Sequence, residues 1–155
     1  MSNAAMLRRL CRESEDLKNN AADLESIFKI NRVGDDMCHY NVILFGPKDS
    51  LYEGYQFNLD IKLPHDYPFS APIVKFITPI EHVNVNNNGD ICLDILKDKW
   101  VPSQNIASIM KSLMLLLSEP NVDDPLNSDL GRLYKTDKNK YKQRIKSACE
   151  KFSVA

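Results

Sequence analysis

The stretch from Tyr55 to Leu63 constrains the fold of this chain more than any other. Tyr55, Phe57, Leu59, Ile61 and Leu63 alternate with Gln56, Asn58, Asp60 and Lys62. A period of two puts apolar side chains on one face of a strand and polar ones on the other. The pattern ends at Pro64-His65-Asp66-Tyr67-Pro68-Phe69-Ser70-Ala71-Pro72. Three prolines cannot all sit in a central strand, so the chain leaves the sheet there. Upstream, the turn Gly46-Pro47-Lys48-Asp49-Ser50 follows a run from Met37 to Phe45 in which Cys38, Tyr40, Val42 and Leu44 share a face. Gly34-Asp35-Asp36 separates that run from Ile27-Phe28-Lys29-Ile30, and Ile73 to Ile77 supplies a fourth strand. Successive strands joined by short turns predict an antiparallel meander.

Helical spacing takes over at both ends. Leu7, Leu10, Cys11, Ser14 and Leu17 fall on one face, with Arg8, Arg9, Arg12 and Glu13 mostly off it. Cys11 thus reads as a small apolar filler. Ile106, Ile109, Met110, Leu113, Leu116 and Leu117 form a long stripe with Asn105 as N-cap, widened by Met114 and Leu115 into a central helix that Pro120 stops. A short helix over Ser128–Lys135 precedes Thr136, read as a cap. The last helix aligns Tyr141, Ile145, Ala148, Cys149 and Phe152. Helix, strand block, irregular block and helices make an α+β chain. The irregular block, Thr78 to Pro102, runs for 25 residues without strong periodicity, long enough to suggest a functional loop.

Composition narrows the classes. At 155 residues, 43% apolar and 26% charged, the chain suits a single globular domain, taken as residues 6–153, with 1–5 a short extension or cloning scar. Twenty basic against 21 acidic residues argue against a nucleic-acid partner. No apolar run nears the ~18 residues of a membrane span, and no secretory signal opens the chain. Cys11, Cys38, Cys92 and Cys149 are far apart, so no zinc cage is expected and the thiols read as reduced and intracellular.

Cys11, Cys38 and Cys149 lie on apolar faces and read as core. Cys92 differs, because it follows the polar turn Asn86-Asn87-Asn88-Gly89 inside the irregular block. The pattern alone leaves open whether its sulfur is accessible or Ile91-Cys92-Leu93 is a buried run. The histidines are His39, His65 and His82. A thiol protease needs a thiolate–imidazole pair oriented by a third group, and His82 is the histidine nearest Cys92 in sequence. A lone loop histidine more often holds backbone. Asp123-Asp124 offers carboxylates or a turn before Pro125, and Asn84 offers an oxyanion donor or a loop clasp. There is no Gly-rich phosphate loop, no Gly-x-Ser-x-Gly elbow and no His-Glu-x-x-His helix. Arg8, Arg9 and Arg12 form a cluster suited to a solvated helix face or an acidic partner.

In order and spacing, these segments resemble the ubiquitin-conjugating enzymes from about Leu7 to Phe152. The resemblance is carried by Gly34-Asp35-Asp36-Met37, Gly46-Pro47, Pro64-x-x-x-Tyr67-Pro68-Phe69-x-x-Pro72 and His82-x-Asn84. It continues through Asn88-Gly89-x-Ile91-Cys92-Leu93-Asp94-Ile95-Leu96, Trp100-x-Pro102, Pro120-Asn121-x-Asp123-Asp124-Pro125-Leu126 and Tyr134-Lys135-Thr136-Asp137. The nearest likeness is to broadly acting members that work with RING and HECT ligases. It implies a four-stranded antiparallel meander between an N-terminal helix and C-terminal helices. It also implies a thioester on Cys92, received from an activating enzyme and passed to a substrate lysine or a ligase cysteine, with no cofactor and no metal. Asn84, Asp124 and His82 complete the implied catalytic set, and Leu93 and Asp94 flank the thioester. Phe69, Pro102, Ser103 and Arg12 would meet ligase and activating enzyme, and Ser108, Lys111 and Ser112 the donor ubiquitin. A monomer in cytoplasm or nucleus is expected.

The chain departs from the family in places. Members usually read His-Pro-Asn, whereas this chain has His82-Val83-Asn84. Valine restores an N–H and frees φ, so thioester formation is expected to survive while the placement of Asn84 and lysine transfer feel the change. Cys11 and Glu15 stand where basic residues are common, and Lys29 where a small residue often serves a second, noncovalent ubiquitin site. Three other readings compete: conjugation of another ubiquitin-like modifier, a non-catalytic binding variant of the same fold, and a cysteine hydrolase using Cys92 with His82.

Overall fold

Four strands form the expected meander in the computed structural model, which describes residues 3–154. They are β1 (Phe28–Arg32), β2 (His39–Phe45), β3 (Gln56–Lys62) and β4 (Ile73–Phe76), antiparallel in the order β1-β2-β3-β4. Register follows the apolar alternation: Val42 pairs with Leu59, Leu44 with Phe57, Ile61 with Val74 and Leu59 with Phe76. All seven of these side chains are buried on one face of the sheet. Lys29, Asn31, Ile73 and Lys75 lie exposed on the other. A one-residue slip would exchange the two sets, which is why the register is unambiguous.

Helices α1 (Asn3–Asn19), α2 (Ala21–Leu24), α3 (Ile106–Ser118), α4 (Ser128–Thr136) and α5 (Lys138–Phe152) complete the fold. The central helix is α3, with Ile109, Met110 and Leu113 fully buried and Asn105 capping it by accepting from the Ser108 N–H at 2.9 Å. Leu115, expected to widen the buried stripe, is instead 61% exposed. It lies outside the stripe of Ile109, Leu113, Leu116 and Leu117 that the core takes up. Between α4 and α5 the cap is Asp137, not Thr136: its carboxylate accepts from the Lys140 N–H at 3.1 Å. Thr136 Oγ1 donates back to the Arg132 carbonyl at 2.9 Å, within the preceding helix.

The largest difference is the rotation of α1. Met6, Leu10, Glu13 and Leu17 face inward, while Leu7, Cys11 and Ser14 are exposed. The reason is Glu13, only 7% exposed. Its Oε1 accepts from the Ile106 N–H at 2.9 Å, the first turn of α3, and its Oε2 accepts from the Tyr67 hydroxyl at 2.8 Å. Arg9, one turn earlier, pairs with Glu13 at 3.4 Å and donates to the carbonyls of Pro102 and Gln104. A carboxylate that closes orphan donors at a helix start outweighs one more apolar contact. Apolar periodicity does not register such a residue. Cys11 is therefore a surface thiol rather than a core filler.

Candidate active site

Residues 78–102 form a loop, yet His82, Val83, Asn84 and Val85 are buried. Buried irregular backbone needs partners for its polar groups, and several are supplied locally. Val85 bridges to His82 and Ile91, and Lys75 of β4 bridges to Asp90. Asn86 folds the tip: its Oδ1 accepts from the N–H groups of Asn88 and Asp90 at 2.9 and 3.0 Å. Gly89 has φ +83°, and any Cβ there would collide with the Phe76 carbonyl, so only glycine lets the turn lie against β4. The turn thereby delivers Ile91 to the core and Cys92 to its rim.

Cys92 is half-buried, and its N–H donates to the Asn84 carbonyl at 2.8 Å. Leu93 is extended, and a 3-10 turn over Asp94–Leu96 follows. Two charged groups of opposite sign stand beside the sulfur: Asp124 Oδ2 at 3.9 Å and Lys97 Nζ at 4.0 Å. No imidazole joins them among the described residues.

Asn84 holds the far loop rather than pointing at the sulfur. Its amide donates to the carbonyls of Asn121 and Asp124 at 2.9 and 3.2 Å, and its Oδ1 accepts from the Asn121 N–H at 2.9 Å. The donor pair expected for an oxyanion is thus spent on the segment that carries Asp124. His82 is locked as well. Nε2–H donates to the Leu116 carbonyl at 2.8 Å, and Nδ1 accepts from the Asn84 N–H at 2.9 Å. Burial holds its pKa down at about 4, so the ring is a neutral brace with no free nitrogen. A hydrolase in which His82 activates Cys92 lacks its base. The Val83 carbonyl accepts from the Leu126 and Asn127 N–H groups at 2.8 and 2.9 Å, tying the loop to the start of α4.

The remaining candidates lie on the surface. Phe69 is 66% exposed, and Val101, Pro102 and Ser103 are exposed on the next loop. Trp100 Nε1 donates to the Pro68 carbonyl at 2.8 Å, and Arg9 reaches both loops, hydrogen-bonding Tyr67 at 3.4 Å on one and the Pro102 and Gln104 carbonyls on the other. Arg12 is exposed on α1, and Asp94 beside the thiol is exposed. On α3, Lys111 is exposed and Ser112 half-buried, while the Ser108 hydroxyl is engaged with Asn105 at 3.0 Å. Lys29 is exposed with its ammonium 5.8 Å from the Phe45 ring. Among the described residues no three His, Cys, Asp or Glu side chains are placed to hold a metal ion. No described helix is long and apolar enough to cross a membrane. Sequence reasoning missed Lys97, since nothing in the pattern signals that a 3-10 turn brings the fifth residue after Cys92 back to the sulfur.

The fold is thus a four-stranded meander flanked by helices, with a half-buried thiol on a loop clasped by Asn84. The sequence model of the ubiquitin-conjugating enzyme family matches residues 9–149. The chain is 46% identical over 152 residues to the probable ubiquitin-conjugating enzyme E2 L460 of Acanthamoeba polyphaga mimivirus, covering 97% of this chain and 96% of that protein. Among solved structures it superposes on the E2 domain of the Toxoplasma gondii ubiquitin conjugating enzyme TgTwinScan_2721 with a TM-score of 0.85 at 32% identity. That match covers 95% of this chain and 99% of the other. The chain belongs to the ubiquitin-conjugating enzyme family.

Proposed function

We propose that the protein carries a ubiquitin C-terminus as a thioester on Cys92 and hands it to a lysine or to a ligase cysteine. The observation that supports this is the Cys92 sulfur, reachable from solvent, with the Asp124 carboxylate 3.9 Å away on a loop clasped by Asn84. In loading, the Cys92 thiolate attacks the acyl carbon of the activating enzyme's thioester, and that enzyme's thiolate leaves. In discharge, a neutral amine adds to the acyl carbon, the C–S bond breaks and the sulfur departs with the electron pair. A strong base beside the sulfur would promote attack by water, and the engaged His82 suits a site that avoids one. Lysine has a reference pKa of ~10.4, so Asp124 serves by orienting the amine as it sheds its proton. Leu93 and Asp94 flank the acyl group. Phe69, Pro102, Ser103 and Arg12 form the face for activating enzyme and ligase in turn, and Lys111 and Ser112 meet the donor ubiquitin. The protein acts as a monomer.

The test is to mix the protein with activating enzyme, ATP and ubiquitin. An adduct of one ubiquitin mass forms, is cleaved by thiol reductant and is absent in Cys92→Ala. Cys92→Ser gives a slower, reductant-resistant ester instead. Absence of any adduct with ubiquitin, but formation with another modifier and its own activating enzyme, assigns the protein to that modifier.

A further inference from the structure

We propose that Glu81 is a positioning residue for transfer to lysine: it holds the far end of the loop that carries Asp124, and so sets where that carboxylate stands beside the Cys92 thioester. This rests on the thioester reading above. Asp124 lies in the irregular segment between α3 and α4, with Oδ2 3.9 Å from the Cys92 sulfur. Asn84 clasps the start of that segment, at Asn121 and at the Asp124 carbonyl. Its end is Asn127, the N-cap of α4, whose Oδ1 accepts from the Leu130 N–H at 3.1 Å. The cap does not use the Asn127 amide nitrogen, which donates to Glu81 Oε2 at 3.1 Å. Glu81 Oε1 faces Arg144 of α5 at 3.5 Å. One carboxylate thus meets α4 and α5 at once.

The backbone of Glu81 is fixed independently. Its carbonyl accepts from the hydroxyl of the buried Tyr52 at 2.6 Å. Two residues on, the Val83 carbonyl accepts from the Leu126 and Asn127 N–H groups. Only Pro125 and Leu126 separate Asn127 from Asp124, and proline fixes φ. Gly131 of α4 packs so closely that a Cβ there would stand 2.9 Å from the Pro125 side chain. Across so short and stiff a connection, a shift of Asn127 is passed to Asp124 instead of being absorbed. The Arg144–Glu81 pair is partly solvated, with side chains 38% and 26% exposed, so it aims the carboxylate more than it stabilises the fold. Two kinds of acceptor feel that placement differently. In both, the acceptor adds to the acyl carbon, the C–S bond breaks and its electron pair leaves with the Cys92 sulfur. A thiolate arrives with no proton to shed, whereas the lysine amine needs Asp124 to orient it as its proton leaves. Misplacing an orienting group by about 1 Å costs up to roughly a hundredfold in rate.

The experiment loads the full chain with ubiquitin, removes ATP, and follows thioester decay with either free lysine or 2-mercaptoethanesulfonate, a small thiol, as acceptor. Glu81→Ala should load normally, lose about tenfold in the lysine rate and change by less than about twofold in the thiol rate. Added to Asp124→Ala it should cost nothing further, because it acts through Asp124. Asn127→Asp keeps the helix cap but sets two carboxylates against each other, and should lose lysine transfer as Glu81→Ala does. Adding Glu81→Gln to it restores a donor and an acceptor with their roles reversed, and should recover the lysine rate. Asp137→Ala, which removes the cap of α5 without touching Glu81, should leave the ratio of lysine to thiol rates unchanged. An unchanged lysine rate in Glu81→Ala, equal losses with both acceptors, a full loss on top of Asp124→Ala, or no recovery in the paired variant overturns the proposal. Failure of the native chain to form the initial thioester overturns the proposed function itself, a separate outcome read in the first step.

Discussion

Single residues in this site serve mostly by holding others. His82 is the clearest case, since burial keeps its ring neutral with a pKa of about 4 against 6.5 for the free group. Between those values the unfolded chain binds a proton that the folded chain refuses, so stability is full above pH 6.5 and falls as pH drops toward 4. The loss amounts to roughly 3 kcal/mol across that window. Urea midpoints should therefore fall from pH 7 to 4.5 more steeply in the native protein than in His82→Gln, which has nothing to titrate there. Asp124→Ala should slow discharge to free lysine far more than loading, whereas equal losses in single-turnover assays would remove its orienting role. Asn84→Ala gives up three side-chain hydrogen bonds and should cost about 1–3 kcal/mol, with discharge impaired through the freed Asp124 loop. The roles open in the sequence for Asn84 were clasp and oxyanion donor, and only its hydrogen-bond partners show the clasp.

At the scale of elements, the periodic segments were legible and the polar contacts between them were not. Strands β1–β4 and helix α3 follow their apolar patterns closely, because a face that must be buried writes itself into the spacing. Helix α1 does not, because its rotation is governed by Glu13, a charged residue whose partners Ile106 and Tyr67 lie far along the chain. Glu13→Ala should cost roughly 2–4 kcal/mol by chemical denaturation, since it leaves the Ile106 N–H and the Tyr67 hydroxyl without their acceptor and Arg9 without its carboxylate. Cys11→Ser, on the exposed side of the same helix, should change stability by less than about 0.5 kcal/mol. The junction of α4 and α5 gives a second contrast. Asp137→Ala should cost about 1 kcal/mol through the lost cap, measured as a drop in Tm, and Thr136→Ala a fraction of that.

Across the whole molecule, the fold brings together pieces that are remote in sequence. Asn84, Cys92 and Lys97 lie on the loop before α3 and Asp124 on the loop after it, joined by the amide of Asn84, while the turn after Cys92 returns Lys97 to the sulfur. The exposed apolar surface of Phe69, Val101 and Pro102 likewise spans two loops, bound by Trp100 to Pro68 and braced by Arg9 from α1. Phe69→Ala touches none of these ties, so it should leave thermal stability within the ~0.5 kcal/mol typical of surface changes. Ligase-stimulated discharge should fall with it, while ligase-independent discharge to free lysine should persist. Equal effects on both would detach Phe69 from partner binding.

Local pattern determined the order of elements, the sheet register and the segment carrying the thiol, because burial of an apolar face repeats at the period of the backbone itself. Tertiary structure alone decided which way α1 turns, that His82 and Asn84 are braces, and that Lys97 stands at the sulfur. Those outcomes depend on single polar contacts between distant residues, and a hydrogen bond across the fold leaves no periodic trace in the chain.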